Sequence, residues 1–500
     1  MKILASCLVL AASALALVSR QNVANTLTIS TNGSFASSPL LYGYMYEDIN
    51  HSGDGGLYAE LLQNRAFQGQ TPGTSAALYA WHPLGSTTIA VVNNTTPVSQ
   101  ALPNSLKLTI PNNTSGSVGF TNEGYWGIGV TAGVTYNASF YAKLPSGSSF
   151  TARTTLTVQL LSASGESLAT ASVQGLTESW QQFSVQLLAR KTPESAANSF
   201  AITVDGVDKG GQVICRCFLR RGTTGDQNGL RKDIVQVLAD AKPSFFRFPG
   251  GNNLEGETIP QFWNWTKTVG PLVGRPGRFG DWTYWNTDGL GLMEYLLFCE
   301  DLKMEPIMGV YAGYSILGGT VPEADLQPYI DLAISQIEFV MGDAETNQWA
   351  ALRAKYGHPE PFKLEYVEIG NEDLFRTAPQ TYLAYRWAAF VNAISAKYPQ
   401  LKLISTTTYG AALNPAPKYV DIHHYEASRP SYFINRYSMY DNRTLYPPTV
   451  QIFEGEYAVI RNNSASTRLE FPTLEGAVAE ATFMAGMEKN SDLVFAAACK

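Results

Sequence analysis

Five groups of polar residues in this chain each close a short apolar run. Glu47 ends Tyr44-Met45-Tyr46-Glu47-Asp48. Arg247 and Asn252 bracket Arg247-Phe248-Pro249-Gly250-Gly251-Asn252. Asn371 and Glu372 end Tyr366-Val367-Glu368-Ile369-Gly370-Asn371-Glu372. His423, His424 and Tyr425 end Asp421-Ile422-His423-His424-Tyr425, and Glu456 ends Ile452-Phe453-Glu454-Gly455-Glu456-Tyr457. Paired carboxylates are what glycoside hydrolysis needs: one gives a proton to the leaving oxygen, and the other attacks the anomeric carbon. At a separation of about 5 Å the second acts as a nucleophile and configuration is retained. The attacking group must stay ionised, and its charge, with burial, keeps the partner protonated near working pH.

Such groups do chemistry only if a scaffold gathers them. From about residue 228 the chain alternates helix and strand, the texture of a parallel α/β fold. Helices are expected at Leu230–Ala241, Leu290–Leu302, Leu326–Met341, Thr381–Tyr398 and Leu474–Lys489. Strands are expected at Ser244–Phe248, Pro306–Val310, Leu364–Ile369, Leu401–Ser405, Val420–His424, Thr449–Phe453 and Leu493–Ala497. With Leu41–Glu47 as the first, eight strands result, the number that closes a (β/α)8 TIM barrel. All five polar groups then fall at C-terminal strand ends, where such barrels carry their active sites. Residues 41–74 form the first strand and its loop, and residues 221–500 the rest of the barrel. Between them, residues 75–220 are rich in Thr, Ser, Val and Gly and alternate with period two, for example at Ser105–Ile110, Thr135–Ala142, Thr154–Leu161 and Trp180–Leu187. That predicts an inserted all-β domain, a jelly-roll-like sandwich. Residues 20–40, with a β-like Thr26–Ser30, read as strands of a further, partial β-sandwich.

Composition narrows the class. Of 500 residues 45% are hydrophobic and 15% charged, which excludes a disordered chain and implies a large core. The net charge is −7 and no basic run occurs, so neither nucleic acid nor an anionic membrane is an expected partner. Residues 1–19 read as a secretory signal: Lys2, an apolar run from Ile3 to Val18, and the small-x-small site Ala14-Leu15-Ala16. Export agrees with the Asn-x-Ser/Thr sites at Asn32, Asn93, Asn137, Asn264, Asn442 and Asn462, each a possible surface glycan acceptor. Beyond the signal, Cys215, Cys217, Cys299 and Cys499 are too few for a disulfide framework. A lone Cys-x-Cys pair is a poor zinc site, and neither a metal nor another cofactor is expected.

The tract from Leu41 to Gly56, Leu-Tyr-Gly-Tyr-Met-Tyr-Glu-Asp-Ile-Asn-His-Ser-Gly-Asp-Gly-Gly, resembles the fungal-type α-L-arabinofuranosidases of glycoside hydrolase family 51. So do Phe246 to Gly256 and Glu368 to Glu372. The likeness runs from about residue 25 to 497 and is strongest outside the β-rich insertion. It implies a secreted, retaining, exo-acting enzyme that removes terminal arabinofuranosyl groups from arabinan, arabinoxylan and related oligosaccharides. It also implies roles: Glu372 as acid/base, Glu456 as nucleophile, Asn371 on the sugar 2-hydroxyl, and sugar-ring contacts from Glu47, Arg247 and Asn252. The His-x-Tyr after strand six carries onto His423 and Tyr425, which would orient the nucleophile and the substrate. The aromatic Tyr457 selects Glu456 over Glu454.

The chain departs from this pattern at Val213–Arg221, whose basic, Cys-bearing sequence differs from the family's apolar strand. It also stops at Lys500, where family members continue into a last helix and a C-terminal sandwich. The expectation is an uncovered barrel edge and the loss of a substrate contact after strand eight. Simpler readings stand beside the sharp ones. Glu372 could serve a helix N-terminus, Glu456 could be a surface loop acid with Glu454 the nucleophile, Glu47 could be a cap or ion pair, Arg247 could hold only the loops, Gly250-Gly251 could be only a tight turn, and one of His423 and His424 could serve only the core. Rival functions are an inactive or carbohydrate-binding homologue, with Tyr125 or Trp126 stacking on sugar, and another retaining barrel glycosidase such as an endo-glucanase.

Overall fold

The computed structural model describes residues 36–500 apart from 223–227, 430–431, 465–466 and 500. The expected signal, Thr26–Ser30 and most of the expected strands at 20–40 lie outside the described residues; residues 36–38 are irregular and residues 39–40 lie in a turn. Eight parallel strands lie in chain order: β1 (Tyr44–Met45), β2 (Phe245–Phe248), β3 (Glu305–Val310), β4 (Tyr366–Ile369), β5 (Lys402–Ser405), β6 (Tyr419–Ala427), β7 (Gln451–Arg461) and β8 (Val494–Cys499). A parallel bridge between Tyr42 and Ala497, with Ala497 N donating to Leu41 O at 2.7 Å, joins the last strand to the first. The result is a TIM barrel.

The strands read as almost unbroken apolar runs because both faces are covered. In β2 and β3 every residue is buried. Phe245, Ile307, Tyr366, Ile404, Phe453 and Phe495 fill the interior, while Phe246, Phe248, Met308, Val310, Val367 and Ile369 face the surrounding layer. That layer includes α1 (Lys232–Asp240), α2 (Leu292–Leu302), α3 (Gln327–Met341), α4 (Gln348–Lys355), α5 (Trp387–Lys397) and α6 (Leu474–Lys489). Two details depart from expectation. The span Thr381–Tyr398 is broken by a π turn at Tyr382–Arg386, and α4 went unread although Asn347 caps it by accepting from Trp349 N and Ala350 N.

Residues 81–222 form two five-stranded antiparallel sheets packed face to face, the sandwich that period-two alternation implies. The atypical segment Val213–Arg221 lies within Gly211–Gly222, the middle strand of one sheet. Cys215, Cys217 and Leu219 alternate into the core as small hydrophobes, and buried Arg216 donates to Leu102 O at 2.9 Å. A polar bond stitches sandwich to barrel loop: Glu60 Oε1 accepts from Leu219 N at 3.0 Å, while within the loop it also accepts from Leu62 N at 3.0 Å and Arg65 Nε donates to Asp54 at 2.9 Å. No helix among the described residues is long and apolar enough to cross a membrane.

Candidate active site

Two residues beyond Phe245 on β2, period two turns Arg247 to the same interior face. Arg247 is 0% exposed, and all three of its nitrogens are engaged. Nε and Nη2 donate to the two oxygens of Glu368 at 2.7 Å each, Nη1 to Glu456 Oε1 at 2.9 Å, and Nη2 also to Asn371 Oδ1 at 2.7 Å. Arg247 thereby gathers acids from β4, β6 and β7. Burial opposes its charge, but Glu368, Asp421 and Glu456 raise its pKa well above the ordinary value. Burial pushes Glu368 up to about 8, against the pull of Arg247.

Asp421, His423 and Tyr425 lie on one face of β6. His423 Nε2 meets Asp421 Oδ2 at 2.8 Å, and Nδ1 meets Glu372 Oε1 at 2.9 Å and Glu456 Oε1 at 3.8 Å. Burial works against an imidazolium here, yet Asp421 and Glu456 raise the His423 pKa well above its usual value. Asp421 is held below the usual carboxylate range: His423 and Arg247 outweigh its burial. Both ring nitrogens therefore donate. Atoms of Glu372, His423 and Glu456 lie within 4.8 Å of one another, a spacing a metal ion could use, but a cation there would have to displace the His423 proton. The Tyr425 hydroxyl donates to Glu456 Oε2.

The strand β7 decides which glutamate enters this cluster. Simple alternation would put Glu454 and Glu456 on one face. Instead the register against β6 slips: Ile422 pairs with Glu454, but His423 pairs with Glu456. Gly455 is the extra residue of this bulge. Its N donates to Asp421 Oδ1 at 2.9 Å, and a Cβ there would meet that oxygen at 2.2 Å. Phe453 and Glu456 consequently face inward. Glu454 faces outward, accepting from His424 Nδ1 at 2.5 Å and from the Tyr440 hydroxyl. The two histidines divide the same way.

Glu372 follows β4 on a sharp turn, with Gly370 at φ 88° and Glu372 itself at φ 44°. Left-handed backbone at a glutamate is strained and persists only where its surroundings hold it. Here Asp373 does so: it is buried, pairs with Arg386 at 2.6 Å and accepts from Thr406 Oγ1 at 2.8 Å. Arg386 ends the π turn, so that irregularity serves the Glu372 loop. Asn371 is locked at both ends of its amide, accepting from Arg247 and donating to Glu255 at 3.0 Å. Burial, with Asp373 and Glu372 nearby, pushes the Glu255 carboxyl well above its usual range despite that bond.

Glu47 is buried, and its Oε1 accepts from Asn252 N at 2.8 Å. Asn252 thus meets Glu47 through its backbone. Gly251, at φ 51°, allows the approach: a Cβ there would lie 2.2 Å from Glu47 Oε1 and 3.0 Å from Glu456 Oε1. The expected residues Glu47, Arg247, Asn252, Asn371, Glu372, His423, Tyr425 and Glu456 thus lie at one barrel mouth. Sequence reasoning missed Glu255, Glu368, Asp373, Arg386 and Asp421. Asp421 and Glu368 had a signal, standing two and three residues before His423 and Asn371; Arg386 had none.

Residues 237–444 match the model of the alpha-L-arabinofuranosidase 1 domain. The chain is 41% identical over 485 residues to the probable alpha-L-arabinofuranosidase A of Aspergillus flavus, covering 95% of this chain and 73% of that one. To alpha-L-arabinofuranosidase A of Aspergillus niger it is 40% identical over 482 residues, with the same coverage of 95% and 73%. Among solved structures it is similar to the arabinose-bound MgGH51 α-L-arabinofuranosidase, with a TM-score of 0.88, 48% identity, and coverage of 94% of this chain and 75% of that one.

Proposed function

Since the chain belongs to the α-L-arabinofuranosidases of glycoside hydrolase family 51, we propose that it is a secreted, exo-acting enzyme that removes terminal α-L-arabinofuranosyl groups with retention. Arabinan, arabinoxylan and their oligosaccharides are the proposed substrates. The observation that carries the reading is that a carboxylate oxygen of Glu372 lies within 4.8 Å of one of Glu456, a closeness that suits a retaining pair.

Glu456 attacks the anomeric carbon as Glu372 gives its proton to the departing glycosidic oxygen. The bond to the leaving group breaks and a β-linked arabinosyl ester forms on Glu456. Water then gives a proton back to Glu372 and attacks the anomeric carbon, releasing α-arabinose and restoring the Glu372 acid and the Glu456 carboxylate. Arg247 and Tyr425 hold the two oxygens of Glu456, so one lone pair stays aimed at the sugar. His423 spans Asp421 and Glu372 and keeps the acid within reach of its partner. Asn371, locked by Arg247 and Glu255, is left to face the 2-hydroxyl. The apolar leader in the sequence supports export.

The test is Glu372→Ala. General acid help is worth about 10²–10⁴-fold, so polymeric arabinosides should lose that much. A dinitrophenyl arabinofuranoside, whose leaving group needs no proton, should lose less in its first step. Azide should then raise turnover and yield the α-azide, because it attacks the β-linked intermediate without base help. A β-azide, or equal losses on both substrates, would overturn the assignment.

A further inference from the structure

Trp126 is 76% exposed, the largest side chain left so open among the described residues, and it belongs to the inserted sandwich rather than the barrel. The turn that carries it is rigid. Gly124, Trp126 and Gly127 all have left-handed backbones, at φ 68°, 56° and 110°. Gly124 N donates to the side chain of buried Asn122 at 2.9 Å, and Gly127 N to Glu123 O at 3.0 Å. A Cβ at Gly127 would lie 2.2 Å from Ala196 O, so no other residue fits there. Tyr125 anchors the underside: its ring lies against Gly55, where a Cβ would come within 2.4 Å of Cγ. A bulky residue held at positive φ, with its ring in solvent, is strain that the fold itself does not use.

The ring is connected to the catalytic cluster. Trp126 meets His51 edge-on, with centroids 5.4 Å apart. His51 stacks on Tyr284 at 4.0 Å, and its N donates to the Tyr284 hydroxyl at 2.9 Å. Tyr284 in turn donates to Asp48 O at 2.6 Å, the residue after Glu47. The tract from Glu47 to His51 is itself a tight turn, with Ser52 Oγ donating to Glu47 O at 2.5 Å. One end of this strap is a buried carboxylate in the cluster, and the other is an open indole.

We propose that Trp126 is a stacking platform for the sugar next to the cleaved arabinofuranosyl group, so that the inserted sandwich completes the active site on the leaving-group side. This rests on the arabinofuranosidase reading. In that reading the terminal sugar sits against Glu456, whose surrounding polar groups are buried, and the chain that bears it runs outward from the barrel mouth. An indole face suits the C–H face of a pyranose or furanose and needs no particular hydroxyl pattern. Tyr125 is not part of the platform, because its ring is committed to Gly55 and His51.

The test compares Trp126→Ala and Trp126→Phe with the unaltered chain on two substrates. One is methyl α-L-arabinofuranoside, which offers nothing beyond the cleaved bond; the other is an arabinofuranosyl-substituted xylo-oligosaccharide. With Trp126→Ala, kcat/KM on the oligosaccharide should fall about ten-fold, mainly through KM, as loss of one aromatic contact implies. The methyl glycoside should change less than about two-fold, and Trp126→Phe should keep most of the oligosaccharide activity. An equal loss on both substrates, or no loss on the oligosaccharide, would refute the platform and leave the arabinofuranosidase reading intact. An unaltered chain inactive on both substrates would refute the two together.

Discussion

One barrel interior holds two layers of opposite character. Phe245, Ile307, Tyr366, Ile404, Phe453 and Phe495 make the lower layer entirely from rings and branched aliphatic groups. One step up the barrel stand Arg247, Glu368, Asp421, His423 and Glu456, all buried or nearly so and joined by ion pairs. The lower layer is stable by exclusion of water. In the upper layer each charge is tolerable only because others neutralise it and its hydrogen bonds are made. The difference teaches that the mouth is held together by its reactive groups: residues that would do the chemistry also satisfy one another, so removing one disturbs both activity and fold.

The largest effect should come from Glu456→Ala, which leaves no group to form the intermediate and should lower kcat by on the order of 10⁴-fold or more. Glu454→Gln, two residues away but facing outward to His424 and Tyr440, should leave kcat per folded molecule near normal and cost about 1–3 kcal/mol of stability through those two partners. Kinetics beside urea melts would show this; a dead Glu454→Gln and an active Glu456→Ala would invert the assignment of faces.

Between the layers, Arg247→Met is expected to cost about 3–5 kcal/mol, because Glu368, Asp421 and Glu456 are left buried without their cation. Ile307→Val, one layer down, should cost about 0.5–1.5 kcal/mol and leave kcat unchanged. Equal unfolding midpoints for the two variants would show that the layers are not energetically different.

The smallest effect is in pH. The His423 pKa is raised in the folded protein, so its contribution is fully present below the unfolded value of 6.5 and fades as pH rises through the raised value. Asp421 is depressed, so its share is present above the unfolded value of 3.8 and is lost as pH falls through the depressed one. Together they stabilise most in mild acid. Melting temperatures of the unaltered protein and His423→Gln should differ most between those two values and converge as the medium becomes alkaline. A gap that widens at high pH would contradict the charged His423.

The sequence by itself determined the barrel and where its polar ends fall. Strands buried on both faces must be apolar along their whole length, and helices between them must repeat near 3.6, so all eight strands and most helices were legible in local pattern. The sandwich was legible for the same reason, since one buried face per strand imposes period two. Tertiary structure alone decided three things. The bulge at Gly455 turned Glu456 inward and Glu454 outward, because a register slip depends on the neighbouring strand and not on the residues that slip. Asp373 and Arg386 came together across thirteen positions to hold Glu372 in a strained turn. And Trp126, on a turn of the inserted sandwich, reached the strap behind Glu47, a contact that no local spacing encodes because it is set by how the sandwich meets the barrel loop.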